Sequence, residues 1–219
     1  MRRRRPDPLF PGTALSSYAV VDFETTGMTP ELGARPTEIA VVLVRDGAVV
    51  DRYQSLMNAD AWIPPQIQAL TGISNAMVKA APRVERVMAE AADFVGNLPL
   101  VAHNAAFDRK FWDAELSALG RSRAGDFVCS LMLARRLFPD APNHKLGTLV
   151  RALGLPATGR YHRALADAEA TACLFLRIAD ELRQRYRLAQ VEHELLMRIQ
   201  QTARSGLARC IARHVAQRG

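Results

Sequence analysis

The chain has 219 residues, of which 49% are apolar and 23% are charged. This is the composition of a folded globular protein, and it excludes a chain that is disordered over most of its length. The formal net charge of +7 is concentrated at the ends: residues 2–5 are four arginines, and residues 177–219 hold nine arginines against four acids. Basic ends suit a polyanion such as nucleic acid. The base composition of a genome can also favour arginine without any selection for binding phosphate.

The three cysteines, Cys129, Cys173 and Cys210, are far apart and odd in number. They indicate neither a zinc knuckle nor a disulfide framework, and they fit a reducing cytoplasm. The first arginines are followed by prolines and an aspartate where an export signal needs an apolar segment, so residues 1–16 are predicted to be a disordered basic tail. No apolar run approaches the roughly 18 residues of a membrane span, so we expect a soluble, cytoplasmic protein.

The predicted elements begin with three strands, at residues 18–23, 38–45 and 47–57, because these runs are apolar and β-branched. The segment between the first two is rich in Gly, Pro and Thr and is predicted to be a loop. A short helix follows from residue 64 to about Gly72. The next helix, at 82–96, places five apolar residues on one face: Val84, Val87, Met88, Ala91 and Val95.

The second half alternates strands with helices. The segment LPLVAHN predicts a buried strand, and residues 126–130 predict a short strand or turn. Helices are predicted at 105–119, 131–138 and 145–153, and the last core helix begins near Arg163. This order indicates an α/β domain over residues 17–180, with a mixed β-sheet flanked by helices.

Residues 181–219 are predicted to form a basic helical extension that Gly206 splits. Its apolar residues recur at helical offsets: Leu195, Ile199, Leu207, Ile211 and Val215. Two interpretations stay open for this extension. It packs on its own domain or on a second subunit of a homodimer, or it is an arm that binds a partner protein or nucleic acid.

Two carboxylates close the first predicted strand. Asp22 and Glu24 are separated by one residue, so the alternation of a strand directs both to the same side of the sheet. Two like charges there are costly unless a cation neutralises them. The alternative is that both are solvated at a strand end, and the pair alone does not decide between the two.

Three further residues can likewise belong either to a reaction site or to an ordinary structural position. Asp108 is expected on the first turn of a helix that Asn104 caps, where it either serves a site or complements the helix dipole. His162 lies in a loop, and Asp167 lies about one turn into the last core helix, among alanines that allow a close approach. Together, the four carboxylates and one histidine fit two-metal phosphoryl chemistry, with Mg²⁺ or Mn²⁺ as the two ions and an imidazole that accepts a proton from water.

Four segments resemble the motifs of the DEDDh branch of the DnaQ-like exonuclease superfamily, which contains the proofreading epsilon subunits of bacterial DNA polymerase III. They are VVDFETTG, IPPQIQALTGIS, VAHNAAFD and HRALADAEAT, in the family order, and the resemblance covers roughly residues 18–179. The segment LARRLFPDAPNHKLGTLVRALGL is also similar. The resemblance implies a ribonuclease H-like fold and stepwise release of nucleoside monophosphates from 3′ ends.

The resemblance also implies residue roles. Asp22 would bridge both metals, Glu24 and Asp167 would complete the first metal site, Asp108 would hold the second, and His162 would be the general base. For the substrate, the backbone of Thr25, Thr26 and Gly27 would hold the terminal nucleotide together with Leu70 and Thr71. Met28 would be a wedge against the last bases. His103 and Asn104 would lie near the scissile phosphate, and Phe107 would be a further substrate contact.

The expected substrate is the 3′ end of DNA, preferably single-stranded, in replication or repair. Two alternatives remain: an RNA 3′→5′ exonuclease of the oligoribonuclease or RNase T type, and a non-catalytic accessory subunit of a DNA polymerase. A short sliding-clamp segment of the epsilon kind is not found after the nuclease region, so docking to a replicative polymerase does not follow from the resemblance.

Overall fold

A computed structural model describes residues 16–159 and 162–217. The predicted disordered tail therefore lies almost entirely outside the described residues. Five strands form one sheet in the order β3-β2-β1-β4-β5. The strands are β1 (Tyr18–Thr25), β2 (Pro36–Arg45), β3 (Ala48–Leu56), β4 (Leu100–Ala102) and β5 (Phe127–Cys129). β1, β2 and β3 pair antiparallel, whereas β4 pairs parallel with both β1 and β5.

The helices lie on both faces of this sheet. They are α1 (Pro65–Thr71), α2 (Asn75–Lys79), α3 (Val84–Val95), α4 (Ala106–Ala118), α5 (Ser130–Leu137), α6 (Leu146–Ala152), α7 (Ala164–Tyr186), α8 (His193–Gln201) and α9 (Leu207–Ala216). Short 3₁₀ turns occupy Pro30–Leu32 and Arg204–Gly206. Among the described residues, each helix is too short or too polar to cross a bilayer.

Alternation along β1 divides the core into two layers. Tyr18 and Val20 belong to the cluster that α5–α9 cover, while Ala19 and Val21 belong to the cluster that α3 and α4 cover. Helices on both faces explain why β1 and β2 are apolar along most of their length rather than alternating with polar residues. Acids at even positions of β1 therefore face the side of the sheet on which α7 lies.

The predicted mixed sheet with flanking helices is confirmed, and most element bounds agree within a few residues. Three details differ. Helix α2 was not predicted; it begins at a Ser74 cap whose Oγ accepts from the Met77 N–H at 3.2 Å. The predicted N-cap role of Asn104 is wrong, because Asn104 has φ +73° and the cap position is Ala105. Finally, α7 runs on to Tyr186, so the expected domain boundary at 180 falls inside one helix.

The C-terminal extension packs on the domain it follows. Leu195, Leu196, Ile199, Leu207 and Ile211 are buried in the same cluster as Tyr18 and the apolar face of α7. Gly206 separates α8 from α9, as predicted. Val215 is an exception to the predicted apolar stripe, because it is 51% exposed near the end of α9. Packing on its own domain is thus the interpretation that the structure supports for the apolar face.

Helix α8 also covers the outer edge of the sheet. Strand β5 is an edge strand, and such strands carry backbone groups without a strand partner. The Gln200 side chain supplies partners for two of them: its Oε1 accepts from the Cys129 N–H at 2.7 Å, and its Nε2 donates to the Phe127 carbonyl at 3.3 Å. One side-chain amide thereby takes the place of a neighbouring strand.

Candidate metal centre at the end of strand β1

Asp22 and Glu24 lie on the face of β1 that α7 covers, as the strand alternation predicted. Both side chains are partly buried. In the β1–β2 register Glu24 stands directly opposite Glu38, and like charges in opposite positions destabilise a sheet unless something compensates them. The end of β1 is therefore a place where negative charge accumulates.

Asp108 joins this pair from the first turn of α4. Its side chain is 2% exposed, and its Oδ1 accepts a hydrogen bond at 3.2 Å from the backbone N–H of Phe23, the residue between the two acids of β1. The hydrogen bond ties α4 to β1 at the site. The structure thus brings Asp108 to the carboxylate cluster, and its role there stays a prediction.

Asp167 and His162 approach from the opposite side. One ligand atom from each of Glu24, His162 and Asp167 lies within 4.8 Å of the others. The backbone N–H of His162 donates to Asp167 Oδ2 at 2.9 Å, which fixes the loop against the first turn of α7. His162 has φ +62° and an exposed side chain, so the loop presents the imidazole to solvent beside the carboxylates.

Burial and mutual repulsion raise the pKa values of the carboxyl groups in this cluster. Burial, together with Asp108, Asp167 and Glu24, raises the pKa of Asp22 well above its ordinary value. Burial and the neighbouring Asp167 and Glu38 raise the pKa of Glu24 to about 8. Burial also raises the pKa of Asp108 to about 7 and raises the pKa of Asp167. Hydrogen bonds from backbone N–H groups act in the opposite direction on both, because they favour the charged carboxylate.

These residues fit a divalent metal. Hard cations such as Mg²⁺ and Mn²⁺ take oxygen ligands, and the donor set consists mostly of carboxylates whose mutual repulsion a cation would relieve. Strand β1 and helices α4 and α7 hold all four acids, so the site needs little rearrangement to bind. Strongly perturbed carboxylates in one cluster are a recognised mark of a functional site.

Glu38 is a site residue that the sequence analysis missed. It is fully buried, and Arg163 binds it through two hydrogen bonds of 2.7 and 3.1 Å. Its carboxylate also accepts from the Ala164 N–H at 3.1 Å and from the Gln54 amide at 2.7 Å. Because Arg163 follows His162 directly and Ala164 begins α7, Glu38 anchors the loop that carries the imidazole. The only sequence signal was an acid inside an apolar strand.

The predicted substrate loop after β1 is held by internal hydrogen bonds. Thr25 Oγ1 donates to the Gly27 carbonyl at 2.6 Å, and Thr26 Oγ1 accepts from the Arg35 N–H at 3.0 Å. Arg35 then binds both carboxylate oxygens of the buried Glu115 of α4, at 2.9 and 3.0 Å. The backbone of Thr25, Thr26 and Gly27 is thus pre-formed next to Glu24.

The other residues that were predicted to contact substrate differ in how exposed their side chains are. Met28 is 75% exposed and Leu70 is 51% exposed, which is unusual for large apolar side chains and leaves both free to contact a base. Thr71 is buried, and its Oγ1 donates to the Ile67 carbonyl and accepts from the Ile73 N–H. The Thr71 side chain therefore stabilises the end of α1, and its predicted contact with substrate stays a prediction.

Beside Asp108, both ring nitrogens of His103 are occupied. Nδ1 lies 2.9 Å from Ser130 Oγ and Nε2 lies 2.9 Å from the His144 carbonyl, and burial lowers the pKa of this histidine. Asn104 is exposed in its left-handed conformation, while Phe107 is partly buried against Phe111, with ring centroids 5.1 Å apart. The predicted substrate roles of these three residues remain predictions.

Comparison with known proteins supplies the family. A family model described as Exonuclease, RNase T, matches residues 19–175. DNA polymerase III subunit epsilon of Aquifex aeolicus is 34% identical over 181 residues, which is 82% of this chain and 87% of that protein. The chain belongs to this exonuclease family. The resemblance to DnaQ-like enzymes is thereby confirmed.

Other exonuclease-family relatives are larger or more distant. The PolC-type DNA polymerase III of Bacillus cereus is 35% identical over 77% of this chain, but the chain spans only 12% of the length of that polymerase. A structure of exonuclease X in complex with 5′ overhanging duplex DNA has a TM-score of 0.62 at 32% identity, covering 74% of this chain and 91% of that one. The nuclease domain of 3′hExo, a DEDDh family member bound to rAMP, has a TM-score of 0.65 at 21% identity, over 76% and 92% of the two chains, and supports the ribonuclease H-like fold.

Proposed function

We propose that this exonuclease is a metal-dependent 3′→5′ enzyme that hydrolyses phosphodiester bonds from the 3′ ends of DNA and releases nucleoside 5′-monophosphates, in proofreading or repair. The observation that carries the proposal is the cluster of Asp22, Glu24, Asp108 and Asp167 with His162 beside it. Relatives named as DNA polymerase III proteins favour DNA over RNA as the substrate and support a DNA polymerase as a partner.

The residue roles are those that the resemblance to the family motifs implies, and the grouping of Glu24, His162 and Asp167 supports them. Asp22, Glu24 and Asp167 would hold one divalent ion, and Asp22 with Asp108 the second. When bound, such ions stabilise negative charge on the attacking and leaving oxygens of the phosphodiester. His162, exposed beside Glu24 and Asp167, accepts a proton from the attacking water at a ring nitrogen. The loop backbone at Thr25, Thr26 and Gly27 positions the terminal nucleotide.

A labelled oligonucleotide tests this proposal. We expect the full chain with Mg²⁺ to convert 5′-labelled single-stranded DNA to a ladder of shorter products, and EDTA or Asp22→Asn to abolish it. Asp51→Asn, on an exposed position of β3, is the matched control and keeps full activity. Intact DNA in every metal-containing reaction would overturn the proposal. An RNA oligonucleotide of the same sequence, assayed in parallel, decides between the DNA and RNA alternatives. DNA with paired and with mispaired 3′ ends tests the preference for single strands.

A further inference from the structure

The corner between α8 and α9 forms an open cavity of about 620 Å³ that is lined by several arginines. Three arginines, Arg198, Arg209 and Arg213, line it with Thr202 and Ser205, and no carboxylate does. The family match ends at residue 175, before these helices begin. This cavity therefore belongs to the part of the chain that the family does not define.

Two of these arginines lack a balancing charge. Arg198 is paired with Glu194 at 2.6 Å, but Arg209 and Arg213 are exposed and form no ion pair with any residue in the described ranges 16–159 and 162–217. They are four positions apart on α9, so both lie on one face, opposite the buried Leu207 and Ile211. Two unpaired like charges one turn apart repel, and an anion between them would relieve the repulsion.

A second cavity, of about 370 Å³, extends from this corner to the start of α4. It is lined by Asn104, Arg109 and Arg135, and again by no carboxylate. Gln201 lines both cavities, so they adjoin. Asn104 and Arg109 bracket the start of α4, whose first turn carries Asp108. Within the described residues, neither Arg109 nor Arg135 forms an ion pair, so arginine side chains extend from α4 to α9.

We propose that this surface, the arginine track of Arg109, Arg135, Arg198, Arg209 and Arg213, binds the phosphodiester backbone of the nucleic acid whose 3′ end lies in the carboxylate site. The track contacts nucleotides beyond the terminal ones. A backbone with regularly spaced phosphates matches a row of guanidinium groups, each of which can bind phosphate in a bidentate way. The inference rests on the proposed function for the location of the 3′ end.

The test is the double variant Arg209→Ala/Arg213→Ala in the full chain. Fluorescence anisotropy measures its affinity for a labelled single-stranded 20-mer in EDTA, over a series of salt concentrations. We expect roughly tenfold weaker binding at low salt and a slope of log Kd against log salt that is smaller by about 1.4, because each phosphate contact on a single strand contributes about 0.7. Arg45→Ala/Arg86→Ala, which removes two exposed arginines that line neither cavity, is the matched control and leaves the slope unchanged.

Cleavage rates give a second readout. With Mg²⁺, we expect kcat/KM of the Arg209→Ala/Arg213→Ala variant to fall about tenfold on the 20-mer and to stay at the wild-type value on a dinucleotide, which is too short to reach α9. An unchanged affinity and salt slope would overturn the proposal that the arginine track binds the phosphodiester backbone. An acidic protein would then be the partner to test for this surface. A wild type that binds the 20-mer with the expected arginine dependence but never cleaves it would overturn the proposed function instead.

Discussion

Glu24 and Asp108 show how much the carboxylate cluster depends on protons or cations to balance its charge. Burial raises the pKa of Glu24 to about 8 and the pKa of Asp108 to about 7, so in the metal-free protein both carboxyl groups titrate near neutral pH. Glu38, by contrast, is neutralised by Arg163. The structure thus satisfies one acid of the β1–β2 pair with an arginine and leaves the other for a cation. A metal that binds the cluster must displace protons, and its affinity therefore rises with pH.

We predict that the metal-free protein loses stability as pH rises from about 5 to about 8. Over this range the unfolded state has already released both protons, whereas the folded state gives up the Asp108 proton near pH 7 and the Glu24 proton near pH 8, so rising pH favours unfolding. The free energy of unfolding in EDTA should fall by on the order of a few kcal/mol. The melting temperature should therefore fall by several degrees. Mg²⁺ should restore it at pH 8, and Glu24→Gln should flatten the pH dependence. A melting temperature in EDTA that rises over this range would contradict the prediction.

His162 is close enough to Glu24 and Asp167 to be either a base or a metal ligand, and His162→Asn separates the two roles. Asparagine tolerates the positive φ of this position, so the loop should keep its conformation. We predict that cleavage falls about 10²- to 10⁴-fold, as for loss of a general base. The Mg²⁺-dependent rise in melting temperature should remain at its wild-type size. Loss of that rise would make His162 a ligand.

The connection between β2 and α7 operates at the scale of elements. Glu38 binds the side chain of Arg163 and the first N–H of α7, so the strand, the helix and the His162 loop are held as one unit. We infer that Arg163 is a positioning residue, which acts on catalysis through the neighbouring His162. Arg52, which pairs with Glu169, also links the sheet to α7 but at an exposed position.

Arg163→Lys tests this positioning role, because lysine keeps the charge and loses the bidentate geometry. We predict that kcat falls about tenfold while KM changes little, since the substrate loop after β1 is anchored separately through Arg35 and Glu115. Arg52→Lys is the matched control and keeps kcat. A second variant, Glu38→Gln, should also lower the melting temperature, because it weakens the charge-assisted hydrogen bonds from Arg163 and the Ala164 N–H, each worth about 1.5–3 kcal/mol. A change in KM alone would refute the role.

The sequence predicted elements better than it predicted long-range partners. The acids of β1 follow from period-two alternation, and the face of α3 follows from helical spacing, because both patterns are local. Glu38 could not be assigned, since its partner Arg163 is 125 positions away and only the packing of α7 on β2 brings the two together. Thr71 and helix α2 differ, because their hydrogen bonds are local. A hydroxyl bonded within its own helix end and a five-residue helix with one serine cap leave no periodic pattern in the sequence.

At the scale of the whole molecule, the extension is part of the folding unit. The core that α7 shares with the sheet is completed by α8 and α9, whose buried leucines and isoleucines contact it. The exposed side of the same helices carries the arginines. One extension therefore combines the two roles that the sequence left as alternatives: a packed apolar face and, as proposed, a face for nucleic acid.

Leu196→Ala measures how much this packing stabilises the fold. Leu196 is fully buried, and truncating a buried leucine typically costs about 2–5 kcal/mol. We predict a melting temperature lower by about 5–15 °C in thermal denaturation. Val215→Ala, at the 51% exposed position of α9, is the matched control and should change it by no more than about 1–2 °C. Equal effects of the two substitutions would mean that the extension does not contribute to the core.

Gln200 has a further consequence, for how copies of this chain behave towards one another. An open edge strand is a template on which the strand of another molecule can add, and such addition leads to aggregation. By satisfying the Cys129 N–H and the Phe127 carbonyl, Gln200 removes two of the groups on which that addition would depend. At the opposite edge, β3 carries the charged, exposed Asp51 and Arg52, which disfavour the same event. The helix that completes the core thus also helps to keep the sheet from growing beyond five strands.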